Sequence, residues 1–425
     1  MSLTRKLWAL ALLALLPTPA FAAVDSGDTA WMLTSSALVL LMTPGLAFFY
    51  GGMVRGKNVI TTLYQSLIAM GVVGVLWIVI GYSLAFSTGS EYIGDKSFVM
   101  FAGVGQEPNE GSTIPHLLFA IYQMMFAIIT PALITGAFAE RVRFKQWILF
   151  CGIWSLCVYA PIAHWVWTPG GWLAKQGALD FAGGFVVHMS AGFSALAAAM
   201  VIGKRRDFGA AAAPFSPGYV LLGTAMLWFG WFGFNGGSAL ASNGLAVQAF
   251  ANSFAASAMA MLFWLITDNT KDGKPTLMGA CIGVVAGLVA ITPAAGFVTI
   301  ETALTIGAIT GVECNIVARI VKAKWGVDDS LDVFACHGVG GLIGVLATGL
   351  YATTSVNAAG AEGLMNGGEK LWMANVTGAI AVGAFSFLAT WLILKVVGGV
   401  GPIRATDAEE QAGLDASEHG ESIGH

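Results

Sequence analysis

Apolar residues in this chain come in runs about as long as a bilayer is thick, and polar residues gather between them. Eleven such runs lie at 30–54, 59–86, 116–138, 146–167, 182–203, 218–238, 247–267, 276–293, 298–321, 332–352 and 371–397. A helix needs about 20 predominantly apolar residues to cross a ~30 Å hydrocarbon core, and in lipid a helix satisfies its own backbone. The pattern therefore predicts an all-α polytopic membrane protein with eleven transmembrane helices. Residues 1–22 follow a different rule. Arg5 and Lys6, the apolar stretch Leu7 to Leu16, and Ala20-Phe21-Ala22 read as the charged, apolar and cleavage regions of a signal peptide. That leaves 23–400 as the membrane domain and 401–425 as a tail, with the mature N-terminus outside the cytoplasm.

The loops support this alternation. Starting outside, the cytoplasmic loops hold Arg55, Lys57, Arg141, Arg143, Lys145, Lys204, Arg205, Arg206, Lys271, Lys274, Arg319, Lys322 and Lys324, and the C-terminal end adds Lys395 and Arg404. The outer loops hold only Lys96, Lys175 and Lys370. Such an excess of Lys and Arg on one side marks the cytoplasmic face. The expected location is the cell inner membrane, with the C-terminus in the cytoplasm.

Composition narrows the class further. The chain of 425 residues is 56% hydrophobic and 10% charged, against about 25% charged in soluble domains. A soluble enzyme, a nucleic-acid binder and a disordered scaffold are excluded. The 55 glycines fit helices packed closely in lipid. The five cysteines fall inside apolar runs without metal-ligand spacing, so no metal, cofactor or redox role is expected. No nucleophile–base arrangement points to an enzyme.

A weak repeat relates spans five apart. Phe48-Phe49-Tyr50-Gly51-Gly52 of the first run pairs with Gly233-Phe234-Asn235-Gly236-Gly237 of the sixth. His188, followed by Gly192, pairs with His337, followed by Gly341. Five is odd, so the halves must be inserted upside down, giving an inverted 5+5 repeat plus one extra helix. His188 and His337 should then meet near the midplane.

Ionisable residues at depth are costly and mark function. Two facing imidazoles offer a donor beside an acceptor and can relay a proton, although each alone reads equally as a helix-bonding residue. Asp180 precedes the fifth run and reads as an N-cap or as a carboxylate beneath an outer vestibule. Eight residues of helix span about 12 Å, so it does not reach His188. Asp332 reads the same way at the start of the tenth run. Aromatic Trp167, Phe126 and Phe234 lie toward the outer ends with Ser238, where cation–π terms could attract a small monovalent cation. Glu313 sits inside the ninth run, facing either a subunit contact, Asn315 or a basic helix end.

These stretches resemble the ammonium transporter family (Amt/Mep, relatives of the Rh proteins). The resemblance rests on Phe48-Phe49-Tyr50-Gly51-Gly52-Met53-Val54-Arg55-Gly56-Lys57-Asn58, Gly136-Ala137-Phe138-Ala139-Glu140-Arg141, Gly177-Ala178-Leu179-Asp180-Phe181-Ala182-Gly183-Gly184, Gly230-Trp231-Phe232-Gly233-Phe234-Asn235-Gly236-Gly237-Ser238 and Asp328-Asp329-Ser330-Leu331-Asp332-Val333-Phe334-Ala335-Cys336-His337-Gly338. It runs through essentially the whole mature chain. It implies an outer ammonium-recruiting site of Trp167, Phe126 and Ser238, and a gate of Tyr122, Phe126 and Phe234. It also implies a pore lined by His188 and His337, an essential Asp180, and a homotrimer. Tyr122 departs from the family, which usually places phenylalanine there; a phenol adds a hydroxyl to an apolar plug. Trp167 favours the Amt branch over an Rh-like gas channel, and an ammonium sensor is the other alternative. The tail carries Arg404 against Asp407, Glu409, Glu410, Asp415, Glu418 and Glu421. By composition it is a solvated acidic tail; by resemblance it helps to dock a PII-type signal protein.

Overall fold

The computed structural model describes residues 23–423 apart from residues 110, 211 and 212, so the segment read as a signal peptide lies outside the described residues. Among the described residues there is no strand. The apolar runs form α1 (Ser26–Met53), α2 (Gly56–Phe86), α3 (His116–Phe138), α4 (residues 144–167), α5 (Gly184–Ile202) and α6 (Pro217–Gly236). The second half holds α7 (Gly244–Asp272), α8 (Leu277–Ile291), α9 (Ile300–Ala323), α10 (Phe334–Tyr351) and α11 (Glu369–Val400). α6 and the short α8 complete the set of eleven among the described residues. Loop residues start these helices. Asp25 accepts from the amide of Asp28 at 2.8 Å, and Asn243, Thr276 and Thr299 cap α7, α8 and α9 in the same manner.

In lipid, helices gain little from hiding apolar surface from one another, so association depends on close contact and small residues. α1 and α6, equivalent members of the two halves, pack so tightly that a Cβ on Gly223 would lie 2.3 Å from the Phe49 amide nitrogen. α5 and α10 cross closer still. A Cβ on Gly192 would lie 2.0 Å from the Gly338 nitrogen, and one on Gly341 would lie 3.0 Å from the Cβ of His188. Each histidine helix thus presents a glycine, four residues after its histidine, to the backbone around the other histidine. That reciprocity is what an inverted repeat demands.

Two local expectations change. The tail is not a free solvated segment. Arg143 N–H donates to Ile403 O and Ala405 N–H to Arg141 O, both at 2.9 Å. α12 (Asp407–Ala412) then lies against the loops, with Lys57 donating to the carbonyls of Glu410 and Gln411. The Asp415 carboxylate accepts from the amides of Ile60 and Thr61 in the first turn of α2, at 3.0 and 2.8 Å. Glu410 and Asp415 are buried. Acidic residues dock there because the loop face supplies the basic side chains and open helix amides that composition cannot show. The capping role expected of Asp332 belongs to Asp329, which accepts from Val333 and Phe334 amides at 3.1 and 2.7 Å. Asp332 sits at φ 59° and turns to Lys322 Nζ at 2.8 Å.

The α5–α10 crossing supplies a test. Gly192→Ala forces a methyl into backbone, and overpacking of a tight core costs about 1–3 kcal/mol or more. Gly71 on α2 has open space at its Cβ position. Thermal unfolding of the purified protein should fall clearly for Gly192→Ala and barely move for Gly71→Ala; equal behaviour would contradict the crossing.

Candidate functional site

Most of the residues singled out from the sequence gather around two cavities that meet at Phe126 and Phe234. At one end, Trp167 closes α4 while Phe126 and Tyr122 stand one turn apart on α3, and Ser238 follows α6. They enclose a cavity of about 140 Å³ with Phe86, Phe119, Gln123, Phe181 and Leu240. Phe126 meets Trp167 edge-on with centroids 5.9 Å apart, and Phe126 and Phe234 lie 4.2 Å apart across the cavity floor. The phenol of Tyr122 aims its hydroxyl at the end of α6. Its oxygen lies 2.9 Å from Phe234 O, 3.0 Å from Gly233 O and 3.2 Å from Ser238 Oγ. Both carbonyls belong to the last turn of α6, where Gly233 O also accepts from the Gly237 amide. The hydroxyl is therefore hydrogen-bonded rather than left free in the cavity. Ser238 Oγ donates to Phe234 O at 2.8 Å, which leaves its lone pairs as acceptors.

Behind Phe234 the space narrows to about 10 Å³, about what one water needs. Met42, Leu46, Ile129, Leu133, Val187 and Leu227 line it, together with His188 and His337. The two imidazoles are stacked at 5.3 Å, with Nδ1 to Nδ1 at 3.2 Å. One Nδ1 donates and the other accepts, so in the neutral pair the accepting ring carries its proton on Nε2. His188 Nε2 has no hydrogen-bond partner. His188 also stacks on Trp231 and Phe234 at 5.4 and 5.9 Å. Trp231 was not foreseen; its indole donates to Thr292 Oγ1 at 2.9 Å, and the residue lines the same small cavity.

Both histidines lie in π-helical turns, Gly184–Met189 and Phe334–Val339. Such turns often mark functional sites, and here each opens a histidine helix at its N-terminal end. Each is anchored by an aspartate eight residues before its histidine. Asp180 Oδ1 accepts from Gly183 and Gly184, and Oδ2 from Phe185 and Val186, at 2.6 to 3.3 Å. Its backbone carbonyl accepts from Trp167 Nε1 at 3.0 Å. Asp180 makes no bond to His188, as the helix rise requires. Asp329 holds only two amides, and burial with Asp332 nearby pushes its carboxyl up to about 6. The equal offset in the two halves was a signal in the sequence that singling out Asp332 overlooked.

Glu313 does not pair with Asn315, which bonds Asp268 and Arg319 at 2.7 and 2.8 Å. It stands exposed on the outer face of α9, far along the helix from either end. No cluster of potential metal ligands occurs among the described residues.

A profile described as the Ammonium Transporter Family matches residues 30–423. The chain belongs to this family. The ammonium transporter of Bacillus subtilis is 49% identical over 399 residues, covering 94% of this chain and 98% of the relative. The ammonium transporter Amt1 of Archaeoglobus fulgidus is 45% identical over 400 residues, covering 94% and 99%. Among solved structures, Candida albicans Mep2 superposes with a TM-score of 0.86 at 39% identity, over 91% of this chain and 88% of that one. A structure titled Sensor Amt Protein gives 0.85 at 29% identity, over 92% and 98%.

The two anchoring aspartates make unequal demands. Asp180→Asn places an amide NH2 against backbone donors and leaves at least two unpaired, at about 1–3 kcal/mol each. Asp329→Asn disturbs only two such bonds. In thermal unfolding Asp180→Asn should be the more destabilising; an equal or larger effect of Asp329→Asn would contradict this ordering.

Proposed function

We propose that this protein carries ammonium nitrogen across the inner membrane, recruiting the ion outside and passing ammonia past the twin histidines. The observation that carries the reading is the change from a cavity of about 140 Å³ to one of about 10 Å³ across the Phe126–Phe234 contact. The first chamber offers aromatic faces and the Ser238 acceptor to a small cation. The second offers almost no polar atom besides imidazole, and an ion stripped of water there pays several kcal/mol. Ammonium can shed a proton and enter as ammonia; potassium cannot. Trp167, Phe126 and Ser238 form the recruitment site, with Tyr122, Phe126 and Phe234 as the gate. His188 and His337 line the path, and can share the released proton through their Nδ1 contact. Asp180 fixes both the start of α5 and the indole of Trp167.

The basic loops set the orientation. Lys57, Arg143 and Arg206 meet the tail on one face, which is then cytoplasmic, and the Trp167 cavity opens outside. We further propose a homotrimer. A carboxylate facing lipid at mid-span is costly, and a neighbouring copy would cover Glu313. The docked acidic tail is a suitable landing surface for a PII-type signal protein.

A sensor is the second reading, favoured by the likeness to Sensor Amt Protein. Current from purified protein in liposomes on a solid-supported membrane separates the two. An ammonium pulse should give a current that potassium does not, and Asp180→Ala should abolish it. Ammonium binding without current would favour the sensor or an electroneutral channel.

A further inference from the structure

His164 belongs to none of the roles above, although it is fully buried one turn before Trp167 on α4. Its Nδ1 lies 3.0 Å from Ala85 O and its Nε2 lies 2.6 Å from Ser90 O. Both partners are backbone carbonyls, which only accept. A neutral imidazole carries one N–H and one lone pair. In either neutral tautomer a ring lone pair would face a carbonyl lone pair at one of these distances. Only the imidazolium, with a proton on each nitrogen, satisfies both contacts.

The surroundings favour that charge. Ala85 lies in the last turn of α2, whose final carbonyls have no intrahelical partner and form the negative end of the helix dipole. Ala85 O also accepts from Thr168 Oγ1 at 2.7 Å. The charged groups on the packed elements are bonded elsewhere. Glu91, next to Ser90, pairs with Lys175 at 3.6 Å. Asp95 of the same loop accepts from the Ser97 amide, and Asp180 is held by four amides. No carboxylate bonds the ring among the described residues.

We infer that His164 is held as an imidazolium whose two N–H groups fasten the end of α2 and the Ser90 turn onto α4, making it a positioning residue for the Trp167 cavity. Ala85 is followed by Phe86, and Trp167 follows His164 by three residues; both line the cavity. One ring therefore ties two of its walls together. The positioning role rests on the reading of this cavity as the recruitment site, whereas the protonation does not.

Solid-state NMR of the full-length protein in liposomes at neutral pH, with nitrogen-labelled histidine and carbonyl-labelled alanine and serine, tests the charge in the unaltered chain. The ring whose nitrogens couple to both carbonyl labels should show two protonated nitrogens. One protonated and one bare nitrogen would overturn the inference. The role is tested by the concentration dependence of the ammonium current. His164→Phe should raise the half-saturating concentration about tenfold, the scale of one lost hydrogen bond to a charged group, with most of the maximal current kept. His164→Gln, which retains donors, should recover part of the loss. An unchanged half-saturation in His164→Phe beside a raised one in Trp167→Leu overturns the positioning role. Unchanged values in both variants overturn the recruitment reading and the positioning role with it, while the nitrogen signals still decide the protonation.

Discussion

The histidine pair depends on one contact, the crossing of α5 and α10 with almost no side chain between them. Gly192 against Gly338 lets the backbones approach, and the approach brings His188 and His337 to 3.2 Å. Two helices of ordinary width, 8–10 Å between axes, would leave their imidazoles apart or crowd the passage. The π turns adjust the same contact from within each helix, and Asp180 and Asp329 hold those turns open at their N-terminal ends. Remove the close approach and the histidines remain, but not as a pair.

From that pair the rest of the path follows. Stacked imidazoles, with Phe234 and Trp231 laid against His188, present ring faces and little polar edge to a passage about one water wide. On the proposed reading its narrowness forces desolvation, which would separate a molecule that can give up its charge from an ion that cannot. The wider Trp167 cavity has the opposite character, with ring faces and a hydroxyl acceptor that suit a cation still charged. The scarcity of charge across the sequence is thus a requirement of the site as well as of the bilayer. Charge is concentrated instead at the tail face, where Arg55, Glu140, Arg205 and Asp328 form a partly buried ion network beside the docked tail.

Much of the fold was legible because membrane spans announce themselves by length. All eleven helices match their apolar runs to within a few residues, α7 excepted, whose polar end through Asp272 extends beyond the run that ended at 267. The histidine pair was legible through the repeat, since His188 and His337 occupy matching spans. What stayed hidden was tertiary. The acidic tail read as solvated because its partners, Lys57, Arg143 and the first amides of α2, lie more than 250 residues away in sequence. Asp332 adjoins the apolar run and so reads as its cap, and only the backbone turn at φ 59° shows that it turns away to Lys322. The hydroxyl of Tyr122 raised a question that only its contacts with Gly233 O, Phe234 O and Ser238 Oγ answer. The meaning of His164 lies in two carbonyls, one at the end of α2 and one in the Ser90 turn.

The central claim is that the paired histidines in a dry passage decide what crosses. The direct measurement is the current from liposomes holding the His188→Ala, His337→Ala double variant, for ammonium and for potassium, beside the unaltered protein. The account predicts that ammonium current falls at least about tenfold or that potassium begins to carry current, because the proton-sharing pair is gone and the passage has widened by two imidazoles. Ammonium current and selectivity both unchanged in a folded double variant would contradict it.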